Sequence, residues 1–401
     1  MRPRDVAFLP HVSRLASSCR FPDFAAPWEM PLTHRLIPLV LMAFAACSGE
    51  TDRGPSATQL RLAETPLVSI PDAAPDGRYT MGTMQGAHRM GDGSIAVWAG
   101  PDLYLFDSTG QFLRRAGGRG EGPGEFRAIS GAGECTAGQL TLWDAAERRL
   151  TRIGGAERDP VVQDERGLDM FTSVVGCDDG ALVMLARPLD LTTVGPVQEQ
   201  AHLIRVSPTS AAAETLATIP GLLHAGPLQR LAAFPVAGAR EGMILLADNG
   251  SGRIVRWHDG IADTIIARLP RRAATAEAAD SIKQWWLEHS GLNGAAAPPG
   301  IREMIERIWP KLPLPASLPL FSGMMLDDDG TIWLSEYVGY EMGFHLRPTR
   351  WTAVNDEGNP TRVLELPPDF DLMQLTGGAV LGIQENEDGS LAVQVRAIKR
   401  S

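Results

Sequence analysis

The stretch LPLFSGMMLDDDGTIWLSEY, residues 318–337, reads as two short apolar strands joined at Asp329-Gly330. Asp-Gly between alternating apolar runs is a strong hairpin signal, because Gly accepts positive φ and lets a tight turn follow the twist of its strands. The same turn-then-strand pattern recurs along the chain as DGSIAV (92–97), AGQLTL (137–142), DGALVM (179–184), EGMILL (241–246), DGTIWL (329–334) and DGSLAV (388–393). That gives six units.

Their glycines, Gly93, Gly138, Gly180, Gly242, Gly330 and Gly389, are separated by 45, 42, 62, 88 and 59 residues. The two shortest spacings match the roughly 40–50 residues of one four-stranded propeller blade. Second hairpins follow several of the turns, in LYLFDSTGQFLRRAGG (103–118), IVRWHDGIADTIIARL (254–269) and WTAVNDEGNPTRVLEL (351–366). Seven residues before each repeat glycine stand Gly86, Gly131, Ser173, Pro235, Gly323 and Gly382. Small residues there suit an innermost strand where backbones crowd around an axis. The predicted fold is all-β: a six-bladed β-propeller over residues 59–401. The segment QLRLAETPLVSI (59–70) has no hairpin partner of its own, and is expected to complete the last blade and so close the ring.

GGRGEGPGEF, residues 117–126, looks at first like a phosphate loop. It lacks the Gly-Lys-Ser/Thr ending of a nucleotide site, and Glu121 and Glu125 repel phosphate. The structural reading is preferred: the glycines turn the chain from the first blade back to the axis, Pro123 stiffens the path, and Phe126 anchors it between blades. A formal charge of −11 opposes nucleic-acid binding, and no Lys/Arg stripe offsets it.

At the other end of the chain, the apolar run 36–46 is too short to cross a bilayer core, which needs about 20 residues. His34 and Arg35 precede it, and Ala45, Ala46 and Cys47 follow, in the order of a secretory signal. FAAC (44–47) resembles the lipobox of bacterial lipoproteins, although Phe44 stands where Leu is usual. The resemblance implies lipidation of Cys47 and a membrane partner through that anchor. Ser48 after the Cys implies the outer membrane of a bacterial envelope. Residues 1–46 are therefore read as a signal peptide behind a doubtful extension, with Met30 the expected start, and polar 47–58 as a tether.

The repeats, with FDSTGQFLRRA before GGRGEGPGEF and AVLGIQENEDGSLAVQVRAIKR at the end, resemble the six-bladed NHL-repeat-like propeller lipoproteins. The resemblance covers nearly all of the chain after Cys47. It implies a fold more than a function, because propellers host many activities. The expectation is a binding or scaffold module for an unidentified protein or small molecule, with no cofactor. The competing class is an NHL-type metal-dependent lyase or lactonase, for which His88, Asp327, Asn386 and Gln384 would be the candidate residues.

The spacing from Gly242 to Gly330 leaves room for an insertion, about 273–310, that reads as two helices. Thr275 is placed to cap the first, which runs to about His289 before Gly291; the second follows Pro298-Pro299 and stops at Pro310. The pair is expected over one mouth of the propeller. Its Trp285, Trp286 and Trp309, with His88 on an inner strand, form the candidate ligand or partner surface, against the simpler reading that the tryptophans pack onto the blades. Cys135 and Cys177 each lie three residues before a repeat glycine, on neighbouring inner strands, and are a possible disulfide. The acidic run Asp327-Asp328-Asp329 reads as a solvated turn, since a calcium loop needs further oxygens at alternate positions.

Overall fold

A computed structural model describes residues 57–154, 161–164, 168, 171–190, 195–207, 213–225, 228–289, 296–338 and 347–401. The leader, Met30, Cys47, Gly291 and all but the end of the 47–58 tether lie outside the described residues. Ahead of the repeats come β1 (Thr58–Leu62) and β2 (Val68–Pro71). The first meander is β3 (Gly86–Arg89), β4 (Ile95–Ala99), β5 (Asp102–Phe106) and β6 (Phe112–Arg119), with the short β7 (Glu125–Phe126) alongside β6. The second is β8 (Ile129–Thr136), β9 (Gln139–Asp144), β10 (Arg149–Gly154) and β11 (Val161–Asp164). The third is β12 (Thr172–Asp178), β13 (Ala181–Ala186), β14 (Val197–Val206) and β15 (Glu214–His224). Next come β16 (Pro235–Arg240), β17 (Met243–Asp248), β18 (Arg253–His258) and β19 (Ile261–Ile266). The fifth is β20 (Phe321–Leu326), β21 (Ile332–Glu336), β22 (Arg350–Val354) and β23 (Pro360–Glu365). The last is β24 (Phe370–Thr376), β25 (Ala379–Glu385) and β26 (Leu391–Arg400).

The first strand of every meander adjoins the first strand of the next, in the cycle β3, β8, β12, β16, β20, β24 and back to β3. A cycle of antiparallel sheets meeting along their first strands is a β-propeller. The second strands are buried along almost their whole length, as in IAVWA of β4 and ALVMLA of β13. Neighbouring sheets cover both of their faces, which is why these segments read as continuous apolar runs. The core is accordingly divided into seams. Trp98, Phe126 and Leu142 fill the one between the first two blades, Trp143 and Met184 the next, and Trp333, Trp351 and Phe370 the one between the last two.

Closure uses the N-terminal segment, as its lack of a local partner predicted, but as two strands rather than one. Both pair antiparallel with β26: β2 along Ala392–Val395, and β1 along Ile398–Arg400. β1 also pairs in parallel with β23, and so joins the last two blades at their outer edge. Ile70 of β2 is wholly buried beside Phe106, Leu381 and Val393, which seals the first blade to the last.

All six repeat glycines adopt positive φ, from +69° at Gly180 to +87° at Gly93. Five of them turn a first strand into a second. Gly389 does not: it turns β25 into β26, one strand further out. The equivalent turn in the last blade is Gly377-Gly378, both at positive φ, so Gly382 sits on a second strand and not at the axis. Asp-Gly specifies a hairpin and not its rank in the blade. The reason for small residues also varies by position. A Cβ on Gly86 or Gly382 would strike a ring of its own blade, Trp98 or Phe370, whereas one on Gly131 would strike Val174 of the next blade.

GGRGEGPGEF behaves as read. Phe126 is buried in the first seam, its ring 2.5 Å from where a Gly117 Cβ would stand, and Gly124 turns at φ +76°. Arg149 of the second blade donates to the carbonyls of Glu121 and Glu125, and the Gly122 N–H is taken by the Glu125 carboxylate at 2.8 Å. The loop's polar groups are thus spent on holding two blades together.

The insertion forms α1 (Ala276–His289), α2 (Pro299–Ile308) and a 3-10 turn, Trp309–Lys311. Thr275 Oγ1 accepts the Ala278 N–H at 3.1 Å and caps α1. The buried face, with Ala279, Leu287, Ile305, Ile308 and Trp309, packs with Phe234, Leu320 and Phe321, where β16 and β20 begin. Among the described residues no helix is long and apolar enough to cross a membrane.

The tightest approach between blades is at Gly176 in β12, where an added Cβ would lie 1.8 Å from the carbonyl oxygen of Ala239 in β16. Gly176→Ala should cost about 3 kcal/mol in urea unfolding. At Gly138, with open space around the missing Cβ and φ +72°, the same change should cost only the left-handed penalty, about 1–2 kcal/mol.

Candidate functional site

The six first strands enclose a cavity of about 610 Å³ that reaches their C-terminal ends, beside the hairpin turns. Each strand lends wall: His88 and Arg89 from β3, Glu134 from β8, Val174 from β12, Arg240 from β16, Met324 from β20 and Gln374 from β24, among others. A site needs polar groups free to meet a ligand, so the commitments of each side chain matter.

Most are committed to the neighbouring blade. Gln374 accepts the Arg89 backbone N–H at 2.8 Å and donates to the Arg89 carbonyl at 3.2 Å, linking the last blade to the first. Glu134 accepts the Gly91 N–H of the first blade and the Gly138 N–H of its own turn, both at 2.6 Å. Cys135 and Cys177 are joined as a disulfide between the second and third blades, with Cα atoms 5.1 Å apart. Asp178 takes Arg205 on one oxygen and the Gly242 N–H of the fourth blade on the other. Arg240 pairs with Asp328 of the fifth blade at 2.5 Å. Among the described residues, five seams are therefore laced by side chains around one mouth.

Sequence reasoning found the cysteines and missed the rest of the lacing. A signal was present: Asp178, Arg240 and Asp328 each stand two residues before a repeat glycine, at or just past the end of an inner strand.

His88 lies half-buried on the wall with no hydrogen-bond partner among the described residues. Burial holds its imidazole down to about 4; Glu134 pulls upward against this and Arg240 adds to the lowering. At neutral pH it is an uncharged ring, able to donate through one nitrogen and accept through the other. The Arg89 guanidinium also lines the wall, without an ion pair among the described residues.

The other metal-site candidates are not brought to His88. Asp327 turns away from the axis, its Oδ2 accepting the indole N–H of Trp333 at 2.9 Å and its Oδ1 the Thr331 N–H at 3.0 Å. Burial and the neighbouring Asp329 carboxylate push its carboxyl upward. Gln384 sits on β25, donating to the Glu385 carbonyl at 2.8 Å, and Asn386 braces the β25–β26 turn through Ser390 at 2.9 Å. Gln384 is on the second strand of the last blade and Asn386 in the turn after it, because Gly389 turns β25 into β26 and not a first strand into a second. Among the described residues no group of three His, Cys, Asp or Glu side chains is placed to hold a metal ion.

The insertion does not roof this mouth. No residue of α1 or α2 lines the cavity; the helices pack where β16 and β20 begin, and the cavity reaches where those strands end. Trp309 is 3% exposed beneath Arg230, 5.9 Å from its ring, so it is core and unavailable to a partner. Trp286 packs partly into the same core. Trp285 is half-buried, stacked on His289 at 4.9 Å and edge-on to Trp286 at 5.6 Å.

No protein-family model matches this sequence, and neither does any curated protein. Solved structures do resemble it. A DUF4221 family member from Bacteroides vulgatus is 9% identical, over 86% of this chain and 99% of that one, with a TM-score of 0.47. A virginiamycin B lyase from Staphylococcus aureus is 10% identical over 84% and 88% of the two chains, at 0.39. Regucalcin from Agrobacterium tumefaciens, a calcium-binding protein, is 12% identical over 86% and 97%, at 0.37.

A histidine kept neutral by the fold makes stability depend on pH. Below about 6.5 the unfolded chain takes a proton that native His88 refuses until about 4. Stability should therefore fall as the pH drops from 6.5 towards 4, and His88→Asn should flatten that slope. Urea unfolding of both proteins between pH 7 and 4.5, with an NMR titration of the imidazole, checks this.

Proposed function

We propose that this chain is a six-bladed, NHL-repeat-like propeller of the bacterial cell envelope that binds a ligand, a small molecule or an extended segment of a protein, in its axial channel. The observation that carries this reading is the division of labour on the channel wall. Glu134, Arg240, Asp328 and Gln374 are spent on neighbouring blades, while His88 and Arg89 face the cavity with polar atoms uncommitted. A cavity of about 610 Å³ with mixed walls and a few unpaired polar groups is the usual form of a binding site.

The envelope location is supported by the lipobox-like FAAC ending at Cys47 and by the Cys135–Cys177 disulfide, which suits an oxidising compartment. The polar tether after Cys47 would leave the propeller free of the outer-membrane surface. Two or three acyl chains on one Cys suffice for durable attachment.

Two experiments test the proposal. In a bacterial host, the wild-type chain should sediment with outer-membrane vesicles and incorporate labelled palmitate, and Cys47→Ser should abolish both; membrane attachment that survives Cys47→Ser overturns the anchor. For the channel, a thermal-shift screen of envelope metabolites should yield ligands that stabilise the wild type and fail to stabilise His88→Trp, which fills the channel. Ligands that stabilise both proteins equally would place binding elsewhere.

A further inference from the structure

A second cavity, of about 190 Å³, lies at the opposite end of the inner strands, where β8, β12 and β16 begin. It owes its existence to an irregularity of the third blade. There β14 and β15 run for 10 and 11 residues, and β13 pairs with β14 only as far as Ala186 opposite His202. The remainder of β14, from Val197 to Ala201, continues beyond β13 against β15 and raises a wall. Arg187, the first residue after β13, enters the space so formed, with Ser130 and Ser173 beside it and Phe171, Leu189 and Phe234 as apolar lining.

The arginine is held but not neutralised. Its Nη2–H donates to Ser173 Oγ at 3.3 Å, and that hydroxyl donates on to the Leu185 carbonyl at 3.4 Å. Among the described residues no Asp or Glu lines the cavity, and none forms an ion pair with Arg187. A guanidinium that lacks a counter-charge in a partly apolar recess gains from an anion able to meet its planar fork in a bidentate way. The space is roughly six times the ~30 Å³ share of a water molecule. It admits an aromatic ring or a short alkyl chain.

We propose that this cavity is a binding site for a small organic carboxylate, with the carboxylate on Arg187 and its apolar body against Phe171, Leu189 and Phe234. The site is separate from the axial channel and does not depend on the channel having a ligand.

Benzoate is the probe, titrated calorimetrically into the full chain. Saturable binding is expected, weakened about tenfold or more by Arg187→Gln and by exchange of benzoate for neutral benzamide. Leu189→Trp, which fills the apolar side and keeps the charge, should also abolish it, so a poorly folded Arg187→Gln would not end the test. Arg89→Ala in the channel should leave it unchanged, and inorganic phosphate, an anion without an apolar body, should bind more weakly than benzoate. Absence of saturable benzoate binding, retention of full affinity in Arg187→Gln, equal binding of benzamide, tighter binding of phosphate, or loss of binding in Arg89→Ala would each overturn the proposal.

Discussion

The structure depends on the grip of β1 and β2 on a single edge of β26. A ring of sheets has no layer above or below it, so each blade is buried only by its two neighbours. If the ring opened, the first and last blades would each lose a covered face, and the edge of β26 would be left unpaired. Two short strands that precede the repeats occupy that edge in succession, and β1 reaches across to β23 as well. Segments separated by more than 300 residues of sequence thus complete one sheet.

The lacing around the hairpin mouth follows from the same geometry. First strands converge, so a polar side chain near the end of one first strand reaches a backbone N–H of a neighbouring blade, as Glu134 does to Gly91 and Asp178 to Gly242. Hydrogen bonds from backbone N–H groups to a carboxylate are stronger than neutral ones and fix direction as well as distance. They fix one rim of the channel, and among the described residues that line it His88, Arg89, Glu241 and Thr376 keep side-chain polar groups without a partner in the protein. At the opposite end, where the first strands begin, Trp143 donates to the Thr172 carbonyl of the third blade and Asn249 to the Phe321 carbonyl of the fifth. That end also carries the helical insertion between the fourth and fifth blades, and the overlong hairpin of the third.

Much of this was legible in the sequence, and the exceptions are instructive. Positive φ at Gly93, Gly138, Gly180, Gly242 and Gly330 follows from Asp-Gly and similar pairs, because the turn is a local event. The sixth turn was misplaced by one strand, since NEDGS carries the same local signal at the third strand that DDDGT carries at the second. The amphipathic spacing of the insertion gave both helices, and Thr275 gave a cap, but periodicity does not say which end of a ring a helix will cover. Trp309 looked like a surface candidate because a large aromatic beside Pro310 reads the same whether it is buried or exposed.

What the sequence determined by itself is the set of hairpins, the all-β class, the pairing of N-terminal strands with the last blade, and the loop at 117–126 as a turn and not a ligand cradle. Each depends on residues close together in the chain or on a strand visibly lacking a partner. What only the tertiary structure decided is which side chains meet across the seams and which remain free at the axis. Those outcomes depend on blades brought together from distant parts of the sequence, where a shift of one strand, as at Gly389, puts Gln384 on a second strand and Asn386 in the turn after it, away from the channel.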